Sequence, residues 1–147
     1  MADISYDSPM EKSSESPRII DLPRIYDPRG NLTFVENGDG RLPFRIERVH
    51  WTYDIPAGAE RGGHAHHSCS EVVVAAAGSF CVKIFDGRGW CEYTLNRPYQ
   101  GLLLPPGYWR VLDNYASGSI CLTMADEPYR EDDYIRDLDE YINLKNQ

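Results

Sequence analysis

The sequence has few of the features that mark secreted, membrane-spanning or nucleic-acid-binding proteins. Its acidic N-terminus has no apolar segment of the signal-peptide type, and no run approaches the length of a membrane span. Its 4 cysteines are widely spaced without a CxxC pair, so we expect no disulfide framework. The 15 basic residues are outnumbered by 23 acidic ones, and a net charge of −8 opposes binding to DNA, RNA or anionic lipid. These absences predict a cytoplasmic protein with neither a nucleic-acid nor a membrane partner.

Histidine is also scarce, and its distribution is uneven. The chain has 4 histidines, of which His50 stands alone and three lie in the segment His64-Ala65-His66-His67. An imidazole titrates near neutral pH, so one group can take a proton and return it. If the segment is a β-strand, His64 and His66 lie on one face and His67 on the other. We therefore predict a site at His64 and His66, with His67 outside it.

Turn residues divide the chain into short strands. Residues 1–17 are rich in serine, proline and charge, and we predict a flexible leader there. Residues 18–147 are predicted to form one domain, in which apolar or alternating segments are separated by turns such as Asp86-Gly87-Arg88-Gly89. Helical periodicity is found only at the end, from Tyr134 to Ile142. The pattern predicts an all-β sandwich, jelly roll or small barrel with one amphipathic C-terminal helix.

Two kinds of chemistry suit the paired histidines. Two imidazoles two residues apart on a strand can chelate zinc, iron or manganese, with Glu71 as a carboxylate ligand and His50 as a further candidate. A histidine from a later strand is missing, however, and Arg110 stands there instead, where its charge would repel a metal. Alternatively, a neutral imidazole that faces an apolar interior has a lowered pKa and acts as a base without a metal. The sequence favours the second chemistry and leaves the first open.

Several residues near the histidines are candidates for binding an anionic substrate. Arginine holds phosphate through a planar set of donors. Four arginines are candidates for this role: Arg29, Arg48, Arg61 and Arg110. Arg48 shares the strand face of His50, and Trp109 is a candidate for stacking on a base or a sugar. For each single arginine, an ion pair with a surface carboxylate is the competing interpretation.

Several short motifs occur in order along the chain: Arg48-Val49-His50-Trp51, Arg61-Gly62-Gly63-His64-Ala65-His66, Gly78-Ser79 with Asp86-Gly87, Gly101-Leu102 with Pro106 and Trp109, and Asp133-Tyr134-Ile135-Arg136. Together they resemble the motifs of the nucleotide-linked sugar 3,4-ketoisomerases of the cupin superfamily. The similarity extends from Ile19 to Tyr141. It implies a jelly-roll cupin, a homodimer, no metal and no other cofactor. It also implies a reaction that moves the ketone of dTDP-4-dehydro-6-deoxyglucose from carbon 4 to carbon 3 through an enediol.

The resemblance also implies roles for individual residues. His64 matches the histidine that carries the carbon-bound proton, and His66 matches one that hydrogen-bonds the substrate. Arg29, Arg48 and Arg61 match arginines that grip the nucleotide diphosphate or order the site.

Two positions depart from the pattern of this family. His50 stands where a tyrosine is usual, one that is thought to help move protons between the sugar oxygens. Histidine can do the same, since it both donates and accepts. Glu71 stands where glutamine is common, and its carboxylate would raise the pKa of a neighbouring histidine. Two alternatives therefore stay open: a catalytically silent cupin that binds a nucleotide sugar, and a metal-dependent cupin enzyme.

Overall fold

A computed structural model of the protein describes residues 15–147, and residues 1–14 of the predicted leader lie outside that range. The strands within it are β1 (Arg18–Asp21), β2 (Arg24–Ile25), β3 (Leu32–Thr33), β4 (Arg48–Thr52), β5 (Arg61–His66), β6 (Glu71–Ala77), β7 (Phe80–Phe85), β8 (Trp90–Leu95), β9 (Gln100–Leu104), β10 (Trp109–Asp113), β11 (Ile120–Ala125) and β12 (Tyr134–Ile135). A 3₁₀ turn (Glu131–Asp133) precedes β12, and helix α1 (Leu138–Lys145) follows it.

Two five-stranded sheets form a sandwich. Sheet I has the strand order β1-β9-β6-β11-β4, and sheet II has the order β12-β5-β10-β7-β8. Strands β2 and β3 form a separate hairpin. The main apolar core draws residues from both sheets, including Val73 and Leu102 of sheet I and Val82 and Leu112 of sheet II. This arrangement confirms the prediction of an all-β, jelly-roll type of fold that ends in one short helix.

Strand β6 lies at the centre of sheet I and is covered on both faces. Val73 and Ala75 face the core between the sheets, whereas Val72 and Val74 pack in a second cluster with residues that include Phe44. β-Branched and small side chains suit a strand that has no solvated face. Burying each valine contributes about 1.5–3 kcal/mol, so the strand is firmly held. Glu71, the first residue of this strand, is carried into the same buried layer.

The C-terminal helix is shorter than its periodicity predicts. Tyr134 and Ile135, expected to lie in the helix, instead form β12, in which Tyr134 pairs with His66 of β5. The helix begins only after Asp137, whose side chain accepts a hydrogen bond from an amide of the first turn. Pairing with β5 satisfies backbone groups that a helix would have satisfied internally, so tertiary contact overrides local periodicity. As a result, Tyr134 lies beside the histidines.

The end of the predicted leader touches the sandwich. The carbonyl oxygen of Pro17 accepts a hydrogen bond from the Tyr93 hydroxyl at 3.4 Å, and that of Glu15 accepts one from the Tyr108 hydroxyl at 3.5 Å.

Among residues 15–147, no helix has the length and apolar character needed to cross a membrane. All of the cysteines are free thiols, in agreement with the expected lack of a disulfide framework.

Candidate active site

A bulge in β5 determines where His64 lies. Strand β10 pairs Arg110 with His64 but Val111 with Gly62, so Gly63 is an extra residue on β5. Gly62 and Gly63 have φ values of 85° and 71°, a region that glycine enters without strain. A Cβ on Gly62 would also lie 2.9 Å from the backbone oxygen of Arg110. The two glycines therefore set the direction of His64, as bulges beside active sites commonly do.

His64 lies on the wall of a cavity of about 110 Å³ between the two sheets. The charged, imidazole and phenol side chains on this wall include His50, Arg61, His64, Glu71, Arg110 and Tyr134. Five of these six were candidates from the sequence, and the structure brings them together from β4, β5, β6 and β10. Tyr134 and Tyr115 also line the cavity and were not among the sequence candidates.

Four predicted site residues are not on the wall of this cavity: Arg29, Arg48, His66 and Trp109. The Arg29 side chain is 89% exposed at the turn between β2 and β3, where it forms an ion pair with Asp27 at 2.8 Å. Trp109 is buried on the other face of sheet II, and its ring centroid lies 5.7 Å from that of Tyr141. Trp109 and Arg110 are successive residues of β10, so their side chains point to opposite faces and only Arg110 reaches the cavity.

Glu71 is held in a buried network of opposite charges. Its Oε1 accepts a hydrogen bond from Nη1 of Arg110 at 2.8 Å, and its Oε2 lies 3.8 Å from Nη2 of Arg48. Glu71 is 5% exposed and Arg110 is 1% exposed. A buried carboxylate needs such partners, because an unpaired one is strongly destabilising. Nη2 of Arg110 and Nε of Arg48 are buried without a hydrogen-bond partner within residues 15–147.

His66 lies behind the cavity wall and is fixed by Asp133. Its Nδ1 is 2.9 Å from Oδ2 of Asp133. The amide of Cys69 also donates to this oxygen, and the amide of Ser68 donates to Oδ1. Burial raises the pKa of the Asp133 carboxyl, but the hydrogen bonds from His66 and Ser68 outweigh it and hold the pKa well below its usual value. The ionised carboxylate therefore accepts a hydrogen bond from Nδ1–H of His66, and Nε2 lies 3.6 Å from Oε2 of Glu71. With 1% of its surface exposed, His66 is an oriented, buried imidazole.

The protein environment keeps His64 neutral. Burial is the main cause, followed by the positive charge of Arg110 and the neighbouring His66, and together they lower the pKa of His64 to about 2. Partial burial of the imidazole also lowers the pKa of His50, although the nearby Glu71 offsets part of this effect. A neutral His64 has a nitrogen lone pair at pH 7 and can accept a proton. His67 is exposed, as strand alternation predicts.

Tyr134 packs against both imidazoles. Its ring centroid lies 4.9 Å from that of His64 and 4.5 Å from that of His66. Burial raises the pKa of the Tyr134 phenol, and the charge of Glu71 adds to this effect. The Asp133-Tyr134-Ile135-Arg136 motif was a signal in the sequence, but its helical spacing assigned the tyrosine to a helix instead of to a strand beside the site.

Known proteins match this chain over nearly its whole length. A family model described as FdtA (WxcM-like, C-terminal) matches residues 15–146. A TDP-4-oxo-6-deoxy-α-D-glucose-3,4-oxoisomerase from Aneurinibacillus thermoaerophilus is 34% identical over 136 residues, which cover 88% of this chain and 97% of that enzyme.

Two crystal structures of relatives have the same fold. A 3,4-ketoisomerase from Helicobacter canadensis has a TM-score of 0.85 and 34% identity, covering 89% of this chain and 98% of its own. The second structure is a histidine-to-asparagine variant of the 3,4-ketoisomerase QdtA from Thermoanaerobacterium thermosaccharolyticum, in complex with TDP-4-keto-6-deoxyglucose. It has a TM-score of 0.85 and 31% identity, and the match covers 88% of this chain and 94% of QdtA. The matched region includes every strand that lines the cavity.

Proposed function

The chain belongs to the FdtA (WxcM-like, C-terminal) family, and we propose that it is a sugar 3,4-ketoisomerase that acts on a dTDP-linked 4-keto-6-deoxysugar. The relatives that act on such sugars support the substrate class. The observation that carries the proposal for this chain is the neutral His64, fixed by a bulge on the wall of a cavity whose other side chains include arginines.

In the proposed reaction, His64 moves one proton between two carbon atoms. It takes the proton from carbon 3, the electron pair of that bond forms the carbon 3–carbon 4 double bond of an enediol, and the proton is returned to carbon 4. One base suffices because both carbons are adjacent. The developing negative charge on the sugar oxygen also raises the basicity of His64 at the moment when a base is needed.

The other two imidazoles have different roles in this proposal. His66 was expected to hydrogen-bond the substrate, but its burial behind the wall supports a positioning role, in which it links Asp133 to Glu71. His50 lines the cavity from the edge strand β4 and is exposed in the single chain, so it can contact a sugar oxygen as donor or acceptor.

Arginines near the cavity supply charge for a nucleotide diphosphate. Arg61 is an exposed residue of the cavity wall, and Arg110 has an unpartnered Nη2 among the described residues. Guanidinium groups bind phosphate oxygens through paired hydrogen bonds. We expect Arg61→Ala to raise the KM for the substrate and change kcat little, because a contact to the diphosphate is the same in the ground state and the transition state.

We also propose that the protein is a homodimer through the outer face of sheet I. Large apolar side chains are exposed on the β2–β3 hairpin and on β4, among them Ile25, Tyr26, Leu32, Val49 and Trp51. A groove of about 570 Å³, whose wall includes Thr33 of the hairpin and Val49 of β4, is lined mainly by apolar residues. A contiguous apolar surface of this kind is typical of a protein interface. Arg29 lies at the tip of the hairpin, which would place it at the dimer interface.

Sedimentation velocity tests the dimer. Trp51→Asp places a charge in the proposed interface and is expected to give monomers. Trp90→Asp is the matched control, because Trp90 is 54% exposed on β8 of sheet II and should leave the dimer intact. A wild-type protein that sediments as a monomer at tens of micromolar would contradict the proposal.

The residues of the site do not suit a resident metal ion. Ligand atoms of His64, His66 and Glu71 lie within 4.8 Å of one another, as a metal site requires. However, Arg110 occupies one oxygen of Glu71 and Arg48 lies 3.8 Å from the other, so two permanent positive charges adjoin the position of a cation. We propose a reaction without metal. Stoichiometric metal in the active protein, with loss of activity on chelation and recovery on readdition, would overturn this.

One experiment tests the proposed activity directly. Incubation with dTDP-4-dehydro-6-deoxyglucose in D₂O, followed by NMR, reports turnover, regiochemistry and deuterium uptake. His64→Ala should abolish deuterium uptake and leave the melting temperature nearly unchanged, while His67→Ala, at the exposed neighbour, should behave as wild type. Undiminished uptake in His64→Ala would rule out the assigned base. Binding of the nucleotide sugar without any product would instead identify a silent binding protein.

A further inference from the structure

A 3,4-ketoisomerisation moves two protons, and the base on carbon carries only one of them. When the ketone moves from carbon 4 to carbon 3, the oxygen on carbon 4 gains a hydrogen and the oxygen on carbon 3 loses one. We propose that Tyr134 is the catalytic residue that carries this second proton, by donating to one oxygen and accepting from the other. The inference rests on the proposed function.

The position of Tyr134 fits this role. Its side chain shares the cavity wall with His64, and the two ring centroids are 4.9 Å apart. A substrate whose carbon 3 lies against His64 therefore has its oxygens within the same small cavity as the phenol. Pairing of β12 with β5 fixes the backbone of Tyr134 opposite His66, and the rings of these two residues lie 4.5 Å apart.

The Tyr134 ring is also held from a second direction. The guanidinium carbon of Arg136 lies 4.2 Å from its ring centroid, a cation–π contact. Arg136 is itself fixed by hydrogen bonds to Glu131 at 2.8 and 3.0 Å. A catalytic group held in place by packing on several sides loses little entropy when the substrate binds.

The surroundings of the hydroxyl suit a group that donates a proton and then takes one back. Burial keeps the phenol protonated at rest by raising its pKa. The guanidinium of Arg48 interacts with the phenol and favours its ionised form, so it stabilises the tyrosinate that forms briefly.

The steps balance without any co-reactant. In the first half, the carbon 3–hydrogen bond breaks, its proton goes to His64, and its electron pair forms the carbon 3–carbon 4 double bond while the carbonyl oxygen takes the proton of Tyr134. In the second half, tyrosinate takes the hydroxyl proton from the oxygen on carbon 3, the carbonyl forms there, and carbon 4 takes the proton from His64. Both residues end as they began.

Tyr134→Phe tests the proposal, because phenylalanine keeps the ring contacts and the cation–π contact and removes only the hydroxyl. We expect kcat to fall about 10²–10³-fold, with KM within about threefold of wild type. Deuterium exchange at carbon 3 should fall with kcat, since the same enediol is needed for both. Tyr129→Phe is the control: its ring lies 5.7 Å from that of Tyr134, but its exposed hydroxyl bonds to Glu131, and it should keep wild-type kcat.

Other outcomes separate this inference from the function on which it rests. Wild-type protein without product overturns the proposed function, and the role of Tyr134 with it. Active wild type with a Tyr134→Phe kcat within threefold overturns only the role of Tyr134. A loss confined to KM would make Tyr134 a binding residue and would also refute proton transfer. If His50→Asn lowers kcat as Tyr134→Phe is expected to, while Tyr134→Phe does not, the second proton belongs to His50.

Discussion

Removing the buried guanidinium of Arg110 should be among the most damaging single changes in the molecule. The Arg110–Glu71 pair is almost fully enclosed, with 1% and 5% of the two residues exposed and a hydrogen bond of 2.8 Å between them. Arg110→Met fills a similar volume without charge, so the effect comes from Glu71, whose carboxylate loses its hydrogen-bonded partner. What remains near that carboxylate is Arg48 at 3.8 Å and His66 at 3.6 Å.

The size of the effect follows from these distances. Breaking a buried ion pair by removing one partner costs about 3–5 kcal/mol, because the other charge stays buried without compensation. We expect about 3 kcal/mol for Arg110→Met, since Arg48 is still close enough to offset part of the loss. At about 2–4 °C per kcal/mol for a chain of this size, the melting temperature should fall by about 6–12 °C. The double variant Arg110→Met with Glu71→Leu should recover most of this loss, because no uncompensated charge remains.

Urea denaturation of the variants at pH 7 measures the free energies of unfolding. Lys83→Met is the matched control, since Lys83 forms an ion pair with Asp113 at the same 2.8 Å but is 42% exposed, and its removal should leave the midpoint unchanged. A midpoint for Arg110→Met that equals that of Lys83→Met would refute the reasoning, as would a double variant no more stable than the single one. Imidazole NMR gives a second readout: loss of the Arg110 charge should raise the pKa of His64.

Three further predictions concern the surroundings of the site. Gly62→Ala should lower the free energy of unfolding by about 2–3 kcal/mol and Gly63→Ala by about 1 kcal/mol in urea titrations, since only the first adds a clash to the unfavourable φ. Equal losses would contradict this explanation. Asp133→Asn should be destabilising at pH 7, because the folded state holds the pKa of Asp133 below its usual value of 3.8. In urea midpoints measured as a function of pH, this difference from wild type should be present above pH 3.8 and shrink as the pH falls below it. A difference that grows on acidification would reverse the sign and refute the argument. Thiol titration with an aromatic disulfide should label Cys91 rapidly and Cys69 slowly. Cys91 is exposed, whereas burial raises the pKa of the Cys69 thiol to about 12. Equal labelling rates for the two thiols would contradict this prediction.

The fold was predictable because its signals are local. Turn residues mark the ends of the strands, and apolar runs such as that of β6 identify strands buried on both faces. The start of the C-terminal helix was not predictable in this way. Tyr134 and Ile135 have helical spacing with Leu138 and Tyr141, but they pair with β5. This strand lies far away in the sequence: His66 of β5 and Asp133, which bond to each other, are 67 residues apart. Periodicity contains no information about such a partner.

The site was partly predictable for a related reason. Alternation within one strand placed His64 and His66 on the same face, and their ring centroids are indeed 5.0 Å apart. The same rule argues against using both Trp109 and Arg110 in one cavity, since adjacent strand residues face opposite ways. The depth of His66 depends on Asp133 and on the whole of β12, so alternation could give its direction but not its burial. Tyr134 was missed because its strand was missed.

The two departures from the family pattern belong to one electrostatic unit. His50 and Glu71 come from β4 and β6, two strands that both pair with β11, and both side chains line the same cavity. Partial burial lowers the pKa of His50, with smaller contributions from neighbours such as Arg48 and Arg61, and the charge of Glu71 acts in the opposite direction. A neutral amide in place of the Glu71 carboxylate would no longer raise the pKa of His50. A phenol in place of the His50 imidazole would lie beside the negative charge of Glu71, which disfavours ionisation of the phenol. The carboxylate and the imidazole therefore support each other: Glu71 keeps His50 closer to the range in which it can both donate and accept a proton, and neither change alone would have this effect.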